Sequence, residues 1–152
     1  MLFRSLVEFR GRLVETKRGA LDRLVEEGYQ ADAGMLDFER AGDRAERVLS
    51  AMNRVFVERD LLLTTQGAMV PYYWLVRSLR SDALRHVRPF LLSFVSAVAE
   101  NRKRANDPSS VGTVDSVLTR YSTLSRSIND PGSLEGRYEI LSSAFKEWVT
   151  NS

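Results

Sequence analysis

A chain of 152 residues, 43% hydrophobic and 28% charged, is long enough for one domain with a sizeable core and too apolar for intrinsic disorder. It contains no cysteine, which excludes a disulfide framework, a thiol nucleophile and a cysteine-based zinc site. The net charge of +2 conceals an uneven distribution: residues 77–104 hold Arg77, Arg80, Arg85, Arg88, Arg102, Lys103 and Arg104 against only Asp82 and Glu100, a local +5. Arg4, Glu8, Arg10 and Arg12 interrupt the first twelve residues, so no apolar core of a signal peptide forms there. No apolar run approaches the roughly 20 residues of a membrane span. The expectation is a soluble, cytoplasmic chain.

In chain order, the first segment repeats Phe3, Leu6, Leu13, Leu21 and Leu24 at helical spacing, with Val7, Val14 and Val25 beside them and Gly28 as a stop. This predicts a long helix over 1–28, weakened by about 1 kcal/mol at each of Gly11 and Gly19 relative to alanine. Its near-heptad seam suits pairing with a second copy. A polar connector over 29–34 precedes Asp37, the expected cap of a second helix that buries Phe38, Ala41, Ala45, Val48, Leu49, Met52, Val55 and Phe56. Its other face alternates Glu39, Arg40, Asp43, Arg44, Glu46 and Arg47, a pattern of exposed ion pairing.

Residues 61–65 read as a linker or a single turn. The helix over 66–79 carries Met69-Val70-Pro71-Tyr72-Tyr73-Trp74-Leu75, with Pro71 expected either in its first turn or at a kink. Ser81 is the expected cap of a helix over 82–104 that buries Leu84, Val87, Leu91, Phe94, Val95 and Val98, with Pro89 in its first two turns. Asn106-Asp107-Pro108-Ser109-Ser110 reads as a loop, and the following helix, over 113–127, buries Val114, Val117, Leu118, Tyr121 and Leu124. In the turn Asn129-Asp130-Pro131-Gly132-Ser133, Pro131 and Gly132 are expected to stop that helix and Ser133 to cap the last one, over 134–149, which buries Tyr138, Leu141, Ala144, Phe145 and Trp148. With no strand pair and no repeat at solenoid spacing, the predicted fold is all-α, an irregular single-domain bundle of about six helices.

Chemistry is sparse. His86, among Leu84, Arg85 and Arg88, is the one histidine, so an HxxxH or HNH-type site is excluded, and a triad would need acidic and nucleophilic partners nearby. The acids Asp37, Glu39, Asp43 and Glu46 alternate with arginines, as on a salt-bridged face. No Gly-rich phosphate loop and no nucleophile elbow occurs. No catalytic, cofactor-binding or metal-binding residue is assigned, and the expectation is a protein that is not an enzyme. The basic residues of 77–104 read either as a solvated, ion-paired face or as contacts to the phosphates of a nucleic acid. Tyr72, Tyr73 and Trp74 read either as a core anchor at a helix crossing or as a stacking platform for bases beside Arg77 and Arg80. Phe90 and Phe94 read as core.

Three stretches together resemble a known family: Met69 to Leu75; Arg88-Pro89-Phe90-Leu91-Leu92-Ser93-Phe94 leading to Glu100-Asn101-Arg102; and Tyr121 through Asn129-Asp130-Pro131-Gly132-Ser133-Leu134-Glu135-Gly136-Arg137 to Ile140-Leu141. They are similar to the helical region that follows the ParB-like nucleotide-hydrolysing domain of GmrSD-type bacterial restriction proteins, over residues 36–150. The resemblance implies a phage-defence setting and a helical partner of enzyme domains. It transfers no catalytic residue, because the nucleotide motif and the nuclease histidines of that family have no counterpart here. The expected function is therefore a non-catalytic module binding nucleic acid or a larger protein partner. The alternative is an oligomerisation or scaffold domain that self-associates through its first helix.

Overall fold

A computed structural model of the protein describes residues 32–107, 109 and 112–151 and, upstream, Glu8, Leu13, Gly19, Asp22, Arg23 and Glu26; the side chains of residues 32–38 and 66 are outside that description. Most of the expected helix over 1–28, and most of its pairing seam, lies outside the described residues. The described part comprises α1 (Asp32–Val55), a 3-10 turn (Leu61–Leu63), α2 (Gln66–Ser78), α3 (Leu84–Asn106), α4 (Ser116–Leu124) and α5 (Pro131–Thr150). No strand forms among the described residues, and the fold is all-α. Each of these five helices overlaps one that was expected, and residues 61–65 supply a single turn.

The helix ends correct several expectations. At the start of α5, Asp130 rather than Ser133 is the cap: its carboxylate accepts the Ser133 N–H at 2.9 Å. Pro131 does not stop the preceding helix, which ends at Leu124, but opens α5, where its missing N–H costs nothing and its fixed φ suits the first turn. Asp115 caps α4 by accepting from Val117 N at 2.8 Å and Leu118 N at 2.9 Å. The backbone of α1 is already helical at Asp32, so Gly34 and Asp37 lie inside the helix and Asp37 is no cap. Ser81 sits in a turn, and the cap position of α3 is Ala83, which has no side chain to offer the free N–H groups. Pro71 is neither in the first turn nor at a boundary. It stands inside α2, where it removes the hydrogen bond to the carbonyl of Gly67.

The core forms where α2 packs on α5 and α1, while α3 packs on α1, α4 and α5. Tyr73, Leu75, Val87, Leu91, Leu134 and Leu141 are fully buried, each apolar side chain of that size contributing about 1.5–3 kcal/mol on removal from water. An aromatic chain joins three helices: Phe90 meets Phe94 at 5.6 Å, Phe145 at 5.3 Å and Trp148 at 6.2 Å between ring centroids. Phe94 meets Tyr121 edge-on at 5.0 Å. The buried stripe of α3 runs Leu84, Val87, Phe90, Leu91, Phe94, Val98 and ends on Asn101. Val95 is off that stripe and 43% exposed, against expectation. Val114 and Val117 are likewise exposed, at 41% and 53%: Val114 precedes α4, and Val117 faces outward on its first turn. The α4–α5 approach is close because Gly136 has no side chain. A Cβ there would lie 2.9 Å from Leu124 Cδ1.

Candidate phosphate-binding surface

The structure divides the arginines of the basic segment into two kinds. Arg77 is held by Glu8, which is 1% exposed: Arg77 Nε donates to Glu8 Oε1 at 2.6 Å, and the Tyr73 hydroxyl donates to the same oxygen at 2.9 Å. Arg44 Nη2 donates to the Glu8 main-chain oxygen at 3.2 Å, and its Nε lies 3.4 Å from Oε2. The hydrogen bond to Glu8, opposed by partial burial, holds the Arg77 guanidinium above its ordinary pKa, and the group lies 4.5 Å over the Trp74 ring. Arg88 Nε donates to Asp60 Oδ2 at 2.9 Å. The same buried carboxylate accepts from Leu62 N at 3.1 Å and Val57 N at 3.2 Å. Burial alone pushes Asp60 up, but the Leu62, Arg88 and Val57 donors together hold it below the usual carboxylate value. These arginines are structural clamps, and the acids that hold them lie outside the basic segment.

The remaining cations are at the surface. Arg85 Nε donates to His86 Nε2 at 3.0 Å, and Arg104 pairs with Glu100 at 3.4 Å within α3. Arg80, Arg102 and Lys103 are exposed and enter no ion pair among the described residues. Tyr72 and Tyr73 are 3% and 0% exposed, so their rings belong to the core and present no face to a base. Trp74 is half-buried, with Arg77 on its face and Tyr138 edge-on at 6.3 Å. The core-anchor description fits this cluster.

Between α3 and α4 lies a groove of about 380 Å³, walled by Asn101, Arg102, Ala105 and Asn106 on one side and by Thr119, Ser122, Thr123, Ser125 and Arg126 on the other. Among the described residues, no carboxylate lines it. Asn101, 2% exposed, fixes the two walls: its amide donates to Asp115 O and Thr119 Oγ1 at 3.0 Å each, and its Oδ1 accepts from Asp115 N at 2.7 Å. The hydroxyls of Thr119, Thr123 and Ser125 donate inward to main-chain oxygens at 2.7, 3.0 and 2.8 Å. An anion in the groove would thus meet donors from Arg102, Arg126, Ser122 and the Asn106 amide. Arg126 was missed in the sequence because it stands outside the basic run, inside a serine- and threonine-rich stretch. The available signal was its place at the polar end of a short helix.

Two other depressions have a different character. A trough of about 650 Å³ on α1 mixes Asp43 and Glu46 with Arg47 and Arg54. A mixed groove of about 570 Å³ is lined by Leu49, Met52, Phe56, Val57, Leu63 and Met69, with Asn53 and Glu58 among them. Val57 is 56% exposed, and Leu61, nearby in the chain, 82%. Among the described residues no three His, Asp or Glu side chains converge on a metal position, and no helix is long and apolar enough to cross a membrane. No protein-family description, curated protein or solved structure matches the chain.

Proposed function

We propose that the protein is a non-catalytic helical module that binds the phosphate backbone of nucleic acid through the α3–α4 groove and the cations around it. The observation that carries this reading is the pairing of Arg102 and Arg126 across a groove that no carboxylate lines among the described residues. Guanidinium groups not already neutralised are free to make bidentate phosphate contacts. The defence setting rests on the helix-end signatures that resemble the GmrSD-type helical region. The test is binding of labelled single- and double-stranded DNA and RNA at low and moderate salt. Reversing both Arg102 and Arg126 to glutamate should weaken binding at least about tenfold and shallow the log K against log salt slope by about 1.8 on duplex. Absence of binding at low salt would refute the reading.

A second reading is favoured by the largely apolar groove that includes the exposed Val57, with the exposed Leu61 nearby in the chain. Its two methionines, on an otherwise charged molecule, suit the apolar face of a partner subunit's helix. On that reading the surface cations serve solubility alone.

A further inference from the structure

The buried guanidinium of Arg137 has no counter-charge. The residue is 3% exposed, its Nε and Nη1 are buried without a hydrogen-bond partner, and it enters no ion pair among the described residues. Arginine cannot shed its proton to escape this position. The ring of Tyr121, 5.4 Å from the guanidinium carbon, offers only a quadrupole. A second feature meets it there. A Cβ on Gly67 would lie 3.7 Å from Arg137 Nη1, which sets the guanidinium against the first turn of the thirteen-residue helix α2. That helix start is bare as well: Thr65 makes no side-chain cap, and the first turn holds no acid. A positive helix end and an unpaired cation repel each other, yet the fold brings them together. An anion between them would satisfy both, since the free N–H groups of a helix start and a guanidinium are the two commonest phosphate donors.

We propose that the start of α2 and Arg137 form an internal site for one small phosphate group, either the free ion or the end of a monoester. This site is distinct from the α3–α4 groove and independent of nucleic-acid binding. Glycine at 67 keeps the guanidinium within reach of the helix start.

The test is thermal unfolding of the full chain in sodium phosphate, in glycerol 3-phosphate and in sodium chloride at matched ionic strength, for the natural protein and for Arg137→Met. At phosphate a hundredfold above its Kd, the natural protein should melt about 5 °C higher than in chloride. Arg137→Met should lose that difference and melt higher than the natural protein in chloride, because an unpaired buried charge has gone. A response to both phosphates would mean that a terminal phosphate is accepted, and a response to phosphate alone that the free ion is the ligand. Equal rises in both proteins would overturn the proposal, as general salting-out stabilisation acts on both. Should Arg137→Met not fold, equilibrium dialysis of the natural protein with labelled phosphate decides: one saturable site is expected, and none overturns the proposal.

Discussion

Replacing Asp60 by asparagine isolates the clamp that ties the turn between α1 and α2 to α3. The carboxylate is 5% exposed and accepts three hydrogen bonds: Leu62 N on Oδ1, and both Val57 N and Arg88 Nε on Oδ2. An asparagine can keep its oxygen toward Leu62, but its NH2 then faces two donors. Two bonds to a charged group are lost at about 1.5 kcal/mol each, and relief from carboxylate desolvation returns part, giving a net loss of about 2–3 kcal/mol. The Arg88 side chain is 35% exposed and rehydrates, so it adds no stranded-charge cost. Urea titration followed by circular dichroism at neutral pH should show the midpoint falling by about 1 M with an unchanged slope. Arg88→Met should cost less, and the double-mutant cycle should give a coupling of about 1–2 kcal/mol. The pH dependence has a definite sign. The folded pKa of Asp60 lies below its unfolded value of about 3.9, so its contribution is complete above that value and drains as pH falls through the folded pKa. Asp60→Asn should therefore flatten the acid limb of the stability curve below about pH 4. A midpoint at neutral pH within experimental error of the natural protein, or a coupling near zero, would refute the assignment of this clamp.

Asn101→Ala should lower the melting temperature by about 5 °C in calorimetry, since it removes all three bonds that lock the α3 end to the entry of α4 and leaves the Asp115 N–H unpaired. Gly67→Ala should destabilise by about 1–2 kcal/mol in urea despite alanine's better helix propensity, because the new Cβ meets the branch of Ile128 at 2.6 Å (Cγ2) and 3.2 Å (Cβ).

Long helices with a clean stripe were legible in the sequence: the period through Leu84, Val87, Leu91, Phe94 and Val98 places α3 and most of its buried face. Helix starts were less so, because several residue types can cap and only the backbone decides among them. In Asp130-Pro131-Gly132-Ser133 both Asp130 and Ser133 are good caps; Pro131 selects Asp130 by demanding the first helical position. Val95 and Phe94 look alike in the sequence, yet adjacent residues on a helix point about 100° apart and only Phe94 meets Tyr121. The candidate groove was half legible. Arg102 stood in the basic run, but Arg126 joins it only through the packing of α4 on α3, a long-range fact that local composition does not carry.

Charge shows the same divide, and it constrains how the module can bind. The +5 of residues 77–104 is a local count, and the fold neutralises part of it with Glu8 and Asp60, acids remote in sequence. Of the cations of that run, Arg80, Arg85, Arg102 and Lys103 have no acidic partner among the described residues, and Arg126 from outside the run joins them at the groove. One of the four from the run, Lys103, stands in the final turn of α3, where the helix dipole also favours positive charge, so it needs no acid to be stable there. If every one of these cations neutralised a phosphate, the log–log salt slope on duplex DNA would reach about −4.5. A steeper slope would require cations from elsewhere on the molecule, or release of an arginine by the Glu8 or Asp60 clamp. That release would strand a buried carboxylate, so the clamps set an upper bound on the electrostatic footprint of this surface.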